Sequence, residues 1–154
     1  MFRIEKGTRL TKANMKEGNI NFIGASGVNN GVTACIGNKE HLHPGNTITV
    51  NYNGSVGEAF YQTETFWASD DVNVLYPKFE LTPQIALFLL PIIKRIGKQY
   101  AFVNKWKQED MVNDEIPLPA GKDGFPNWKY MSDYVSAIYS NLQINVSSIH
   151  SLSN

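Results

Sequence analysis

In the first half of the chain, apolar and polar residues alternate over short runs, which is the period of a β-strand with one buried face. Residues 19–25 and 32–36 form two such runs. Asn-Asn-Gly at 29–31 lies between them and favours a hairpin turn, because these residues tolerate positive φ. Residues 47–51 carry β-branched side chains on both faces, and residues 72–76 form a further run. The first half is therefore predicted to consist of short strands and loops.

The pattern then changes to that of a helix. Thr82 and Pro83 have the order of an N-cap followed by proline in the first turn. Residues 84–96 are apolar on nearly all sides, which predicts a buried helix that ends at Gly97. Pro91 is expected to kink this helix, since its ring clashes with the preceding turn.

A last helix is predicted to begin near Asn127. Residues 143–154 are rich in Ser and Asn and carry no Lys, Arg, Asp or Glu, so they are read as a frayed tail or as the stub of a longer helix. Apolar residues at helical spacing form one stripe that either closes the domain or meets a partner. The stripe consists of Met131, Val135, Ile138 and Leu142.

Composition limits the class of protein. The chain has 154 residues, which suits one domain large enough to bury a core without a metal or a disulfide. The single cysteine, Cys35, lies in a predicted strand and is expected to be a small buried side chain, and one cysteine suits a reducing compartment. Residues 1–6 lack the apolar run of a signal peptide, so we expect a cytoplasmic protein without a membrane partner.

Charge placement is more informative than the total charge. Lys plus Arg and Asp plus Glu both number 14, which excludes a uniformly basic protein but not a local cationic patch. Basic side chains cluster within residues 3–16 and again within residues 94–107, where no acid intervenes. If the two blocks meet on one face, that face suits a polyanion. Solvated surface is the alternative for either block alone.

We find no convincing catalytic constellation in the sequence. Gly-Ser-Val-Gly at 54–57 lacks the lysine of a phosphate-binding loop, so a tight turn is favoured. Asp70 and Asp71 lack the spaced acid and lysine of a nuclease and are read as turn or cap residues. His41 and His43 have only Glu40 as an adjacent carboxylate and no further partner for a metal site, so they are read as surface histidines. We therefore expect a binding module without metal or cofactor.

Several short motifs, taken in their order and spacing, resemble a known family. They extend over roughly residues 5–134. The motifs are Lys6-Gly7-Thr8-Arg9-Leu10-Thr11-Lys12, Asn21-Phe22-Ile23-Gly24-Ala25-Ser26, Asn29-Asn30-Gly31-Val32-Thr33, His41-Leu42-His43-Pro44-Gly45, Ile48-Thr49-Val50-Asn51, Asn53-Gly54-Ser55-Val56-Gly57, Ala68-Ser69-Asp70-Asp71-Val72, Ile116-Pro117-Leu118-Pro119 and Pro126-Asn127-Trp128-Lys129-Tyr130-Met131. The chain resembles a target-recognition domain of the DNA-specificity subunit of type I restriction–modification systems, in the form also found in type IIB and IIG enzymes.

The resemblance implies a fold and a role. The fold is α/β (α+β): a single target-recognition domain with an irregular, curved, mostly antiparallel sheet, a buried helix and a C-terminal spacer helix. Residues 1–127 would form the DNA target-recognition domain, and residues 128–154 the spacer-like helix and tail. The implied role is non-catalytic: the domain selects a site on double-stranded DNA, and partner subunits methylate adenine and cleave. The expected partner is the methyltransferase subunit, with the restriction subunit and a second copy of this chain left open.

The sequence proposes two groups of DNA-contacting residues. Phosphates attract Lys and Arg, whereas base edges are read by amides, basic groups and stacking side chains. The phosphate candidates are Arg9, Lys12, Lys94, Arg95, Lys98, Lys105 and Lys107. The base-reading candidates are Asn38, Lys39, Gln62, Thr63 and Trp106, and Lys12, Lys105 and Lys107 suit either role. For Trp106, a structural role as the anchor of its own loop is favoured over base stacking. The four residues of the C-terminal stripe, with Ile138 and Leu142 foremost, are the candidates for partner contact.

Two other functions stay open. The chain could be the C-terminal specificity part of a fused methyltransferase-nuclease of type IIG or IIB. It could also be a decoy that binds the methyltransferase rather than DNA. Because a full specificity subunit carries two recognition domains joined by long helices, this chain could be a half-subunit that dimerises, a piece of a phase-variable gene or an excised domain.

Overall fold

The computed structural model describes residues 1–100 and 104–152, with side chains described up to residue 143. Within these described ranges, seven strands precede three α-helices. The strands are β1 (Phe2–Lys6), β2 (Ile20–Ile23), β3 (Val32–Ile36), β4 (Thr47–Asn51), β5 (Ala59–Gln62), β6 (Phe66–Ala68) and β7 (Val72–Pro77). The helices are α1 (Pro83–Gly97), α2 (Gln108–Met111) and α3 (Trp128–Leu152).

The strands form two sheets. The first has the order β1-β7-β4-β5 and is antiparallel throughout. The second has the order β3-β2-β6, in which β2 pairs antiparallel with β3 and parallel with β6. The mixed, mostly antiparallel α/β class is confirmed, with two sheets in place of a single curved one.

The predicted hairpin between β2 and β3 is confirmed. Its turn at Asn29–Gly31 has positive φ at three successive residues: 52° at Asn29, 53° at Asn30 and 77° at Gly31. The strand that follows alternates as expected, but the side chain of Cys35 lies on its exposed face. The prediction that Cys35 is buried was wrong, because Val32, Ala34 and Ile36 occupy the inward positions of β3.

Helix α1 begins as predicted. The side chain of Thr82 accepts a hydrogen bond from the backbone N–H of Ile85 at 3.3 Å. The helix buries one face against the first sheet rather than all sides, since Leu87 and Pro91 are exposed. The buried face consists of Ile85, Ala86, Leu89, Ile93 and Gly97.

Helix α3 begins at Trp128, whose ring stacks on that of Phe79 with centroids 4.3 Å apart. It continues to Leu152 and does not end near Leu142, so the tail prediction was wrong for residues 143–152 and the stub of a longer helix is the better description. Residues 153 and 154 of that prediction lie outside the described residues. Within the described part of the chain, no helix is long and apolar enough to cross a membrane.

Candidate nucleic-acid interface

Four loops meet at one end of the two sheets, which we call the loop end. They are residues 24–31 between β2 and β3, residues 52–58 between β4 and β5, residues 69–71 between β6 and β7, and residues 104–107. Backbone hydrogen bonds join them. Ser55 N–H donates to Ala25 O. Tyr52 N–H donates to Asp71 O and Trp106 N–H donates to Tyr52 O, each at 3.2 Å. The loops therefore form one continuous surface.

The C-terminus of α1 reaches this surface through a close backbone contact. A Cβ on Gly97 would lie 2.3 Å from the Cα of Gly57, and a Cβ on Gly57 would lie 2.6 Å from the carbonyl carbon of Gly97. Two glycines are needed because neither backbone can withdraw without separating the helix from the 52–58 loop. The glycine-rich motif is thus a turn, as the sequence predicted, and it is also a packing contact.

The two basic blocks meet at Tyr52. The ammonium group of Lys6, from the first block, lies 5.2 Å from the centre of the Tyr52 ring, and the Tyr52 hydroxyl raises the pKa of Lys6. The 104–107 loop of the second block bonds to the backbone of the same residue. Arg9 lies nearby, 4.0 Å from the carboxylate of Asp70 in the 69–71 turn. Sequence reasoning did not select Lys6, because nothing local distinguishes it from the other lysines of its block.

The remaining basic candidates are distributed more widely. Lys94 lies on the side of α1 toward β5, where it pairs with Glu58 at 2.8 Å. Arg95 points to the other side, beside Glu115 and Pro117. The remaining phosphate candidates differ in position: Lys98 is exposed directly after α1, Lys105 is half-buried and Lys107 is exposed in the 104–107 loop, and Lys12 is exposed in a helical turn at Lys12–Asn14.

Trp106 is an anchor for its loop. The side chain is 4% exposed, its indole N–H donates to Asp114 at 2.6 Å, and its ring stacks on Tyr100. Tyr100 donates to the same carboxylate, and burial together with that hydrogen bond raises the pKa of Tyr100. The adjacent Lys105 has a φ of 46°, so the loop is held in a left-handed turn. Trp106 is therefore not available to stack on a base, which agrees with the favoured prediction that it anchors its own loop.

Two other base-reading candidates are buried. Asn38 is 5% exposed; it accepts a hydrogen bond from Lys16 N–H and donates to Asn14 O, so it braces the chain before β2. Gln62 is 3% exposed and bonds within the protein, to Asn30 and Thr49. The selection of Asn38 and Gln62 as base readers is corrected, because their amide groups already have partners inside the domain.

Lys39 and Thr63 are exposed, but they lie at the opposite end of the sheets from the loop end. The same region contains His43, which is buried rather than on the surface. Its ring stacks on Phe66 and its Nδ1 lies 2.5 Å from the hydroxyl of Tyr76. Burial, and then the nearby His41, lower the pKa of His43. Among the described residues, no group of His, Cys, Asp or Glu is arranged to hold a metal ion.

The stripe on α3 divides into two parts. Met131 and Val135 are 0% and 7% exposed, because they pack inside the domain, where α3 contacts α1. Ile138 and Leu142 continue the same stripe but are 43% and 53% exposed. The prediction that Met131 and Val135 contact a partner is corrected, whereas the distal pair forms an exposed apolar surface on α3.

Taken together, a domain with converging loops, cationic side chains at one end and a protruding amphipathic helix belongs to the class of binding modules. The family model for the type I restriction modification DNA specificity domain matches residues 1–147, and the chain belongs to this family. It is 40% identical over 136 residues to the specificity subunit S.BcgI of a type II restriction enzyme from Heyndrickxia coagulans. That alignment covers 88% of this chain and 40% of the relative.

Two solved structures share the fold. The HsdS subunit from Thermoanaerobacter tengcongensis superposes with a TM-score of 0.65 and 16% identity over 93% of this chain and 36% of that one. The S subunit of a type I restriction–modification system from M. genitalium gives a TM-score of 0.55 and 19% identity over 99% of this chain and 40% of that one. The chain therefore spans about two fifths of the length of the relatives that it matches.

Proposed function

We propose that the chain is a DNA-recognition module that gives sequence specificity to a restriction–modification assembly. The observation that carries the proposal is the loop end, where four loops and the ends of two basic blocks form one surface in a domain of the DNA-specificity family. Duplex DNA presents a regular array of phosphates to such a surface, and side chains between the cations reach the base edges.

The phosphate-binding set is narrower than the sequence suggested. The candidates that lie at the loop end or beside it are Arg9, Lys98, Lys105 and Lys107. We add Lys6 to this phosphate-binding set. Lys94 is largely neutralised by Glu58, and Arg95 and Lys12 lie on other surfaces, so these three serve as peripheral contacts. The base readers are assigned to exposed loop positions at the same end instead of to Asn38 and Gln62.

Catalysis is assigned to partner subunits. The sequence holds no catalytic constellation, and three polar side chains at or beside the loop end are engaged within the protein: Asn51 donates to Ser26 O, Asn53 to Asp71 and Trp106 to Asp114. The proposed partner is an adenine methyltransferase subunit, with a restriction subunit in the complete assembly. The distal stripe of α3 is assigned to a helix of a second recognition domain, supplied by another copy of this chain or by the remainder of a longer subunit.

Salt dependence of binding to duplex DNA tests the electrostatic basis of the proposal. Each phosphate neutralised contributes about −0.9 to the slope of log K against log salt, so the ~5 contacts of this set predict a slope between about −4 and −5. Reversal of charge at Lys105 and Lys107 to Glu should reduce the magnitude of the slope by about 2. The measurement is fluorescence anisotropy of a labelled duplex across a salt series.

The matched control reverses Lys78 and Lys122, which are exposed lysines away from the loop end and change the net charge equally. The control should leave the slope unchanged. Equal effects of the two double variants would show that net charge alone drives binding, and a wild-type slope near zero would contradict the cationic interface. A chain that retains the methyltransferase subunit in a pull-down but never binds DNA would favour the decoy function.

A further inference from the structure

The tip of the 24–31 loop carries an exposed apolar side chain. Val28 is 72% exposed, the largest exposed fraction among the large hydrophobic side chains of the described residues. It lies at the loop end, beside the 52–58 loop, since a Cβ on neighbouring Gly27 would be 3.5 Å from both Ser55 and Glu58. Exposure of this side chain costs free energy in the unbound protein, which burial against a ligand would recover.

The loop holds Val28 in one position. The hydroxyl of Ser26 bonds to both the N–H and the C=O of Val28, at 3.2 and 3.3 Å. Gly31 N–H donates to Val28 O at 3.0 Å. From the sheet below, the fully buried amide of Asn51 donates to Ser26 O at 2.9 Å. Backbone and side-chain bonds therefore fix the residues on both sides of the tip.

A second set of buried polar groups stabilises the strained part of the loop. Asn29, Asn30 and Gly31 are all left-handed, a conformation that costs free energy at the two asparagines. Asn30 exchanges hydrogen bonds with Gln62, whose amide also donates to Thr49 inside the protein. Strain of this kind persists only where its surroundings over-determine it, and it is concentrated at functional sites.

We infer that Val28 is a specificity-determining residue that contacts the C5-methyl group of a thymine in the major groove. The inference rests on the proposed function. Valine has no hydrogen-bonding side chain, so the base feature that it can discriminate is the thymine methyl, which apolar side chains contact in the major groove. Side chains that wedge between base pairs are usually longer. Asn51, Gln62 and Asn30 act as positioning residues, because they hold the loop without reaching the DNA.

The test removes the methyl group from the DNA and the valine from the protein. Selection from a random duplex library with the full chain defines the bound sequence, and each thymine is then replaced singly by deoxyuridine, which keeps the base pair but lacks the C5-methyl. At one position we expect binding by the wild type to weaken about fourfold, the effect of one buried methyl group. Val28→Ala should weaken binding similarly and no longer distinguish thymine from deoxyuridine there.

The control is Val112→Ala, which truncates an equally apolar side chain that is 64% exposed after α2. It should leave the thymine-to-deoxyuridine ratio at every position unchanged. Val28→Ser, which carries no methyl group, provides a second variant if the alanine variant melts early. A wild type insensitive to every deoxyuridine, or a Val28 variant that keeps full discrimination, overturns the inference. Failure of the wild type to select any sequence instead contradicts the proposed function itself.

Discussion

Two glycines with the same backbone conformation have different surroundings in this fold. Gly57 has a φ of 81° and contacts the backbone of α1, whereas Gly124 has a φ of 80° in the turn before α3 and would place a Cβ in open space. Left-handed backbone alone costs about 1–2 kcal/mol for a residue with a Cβ. The pair therefore separates the effect of conformation from the effect of packing.

Gly57→Ala should destabilise the domain more than Gly124→Ala. Both variants gain the same left-handed strain and the same reduction in unfolded-state entropy, so these effects cancel in the comparison. The difference is the overpacking against Gly97, which we expect to be about 1–3 kcal/mol in the free energy of unfolding. Urea denaturation of the two variants measures it. Equal losses would show that the 52–58 loop can move away from α1 without cost.

Buried polar side chains were the least predictable residues. Asn38, Asn51 and Gln62 are among the residue types that are mostly exposed, and sequence alone therefore favoured surface roles for two of them. The pattern of β4 contained a signal, because its β-branched residues lie on both faces, as in a strand buried on both sides, and Asn51 shares one of those buried faces with Thr47 and Thr49. That signal cannot name the partners, since Ser26 lies 25 residues earlier in the sequence.

The 104–107 loop depends on one hydrogen-bonded anchor. Asp114 accepts from both Trp106 and Tyr100, and the stacked rings of these two residues cover the end of α1. Asp114 also places a negative charge near the lysines proposed to bind phosphates. Its positioning effect and its charge therefore act on DNA affinity in opposite directions.

Replacement of Asp114 by Asn and by Leu separates these effects. Both variants remove the same charge, but only Asn keeps an oxygen that can accept from the indole N–H. We expect Asp114→Asn to bind duplex DNA at least as tightly as the wild type. Asp114→Leu should bind at least fivefold more weakly than the Asn variant, because it loses the acceptor for both Trp106 and Tyr100 and each lost hydrogen bond costs ~1 kcal/mol. Anisotropy titrations at one salt concentration give the ratio.

The same comparison in a Trp106→Phe background is the control. Phenylalanine keeps an aromatic ring against Gly97 but cannot donate, so the difference between the Asn and Leu variants should shrink there to the contribution of Tyr100. An undiminished difference would show that the hydrogen bond from Trp106 to Asp114 does not position the loop.

Elements with strong local signals were predicted well, and those that depend on distant partners were not. The N-cap of α1, strands β4 and β7 and the turn at Asn29–Gly31 follow from residues a few positions apart. Strand β1 was missed because its Arg and Lys residues mask the alternation, and only pairing with β7 makes it a strand. The short β5 and helix α2 likewise have too few residues for a periodic signal.

The placement of the two basic blocks depends on the tertiary fold. Most of the strands lie between the two blocks along the sequence. Only the pairing of β1 with β7 brings Lys6 to the end of the sheet at which α1 ends. The same topology carries Lys39 and Thr63 to the opposite end. Composition and spacing could therefore predict a cationic surface, but not which of the candidate residues lie on it.

The exposure of the apolar stripe changes along helix α3. Its apolar stripe is core near Met131 and exposed near Leu142, so the helix leaves the domain with its apolar side still uncovered. Ser136 and Ser140 lie on the opposite, polar side of the same turns. An exposed stripe continuous with a buried one is typical of a helix that packs against another helix in an assembly.

Replacement of both Ile138 and Leu142 by Asp should therefore disrupt assembly without unfolding the domain. Since both side chains are already about half exposed, we expect the Tm to change by no more than a few degrees, as for other surface substitutions. The variant should sediment as a monomer, or fail to retain the methyltransferase subunit, under conditions in which the wild type associates. Ser136→Asp with Ser140→Asp is the matched control, which adds the same charge to the opposite side of α3 and should assemble normally. Unfolding of the Ile138 and Leu142 variant would show that the distal stripe is core, and normal assembly would show that α3 meets its partner through another face.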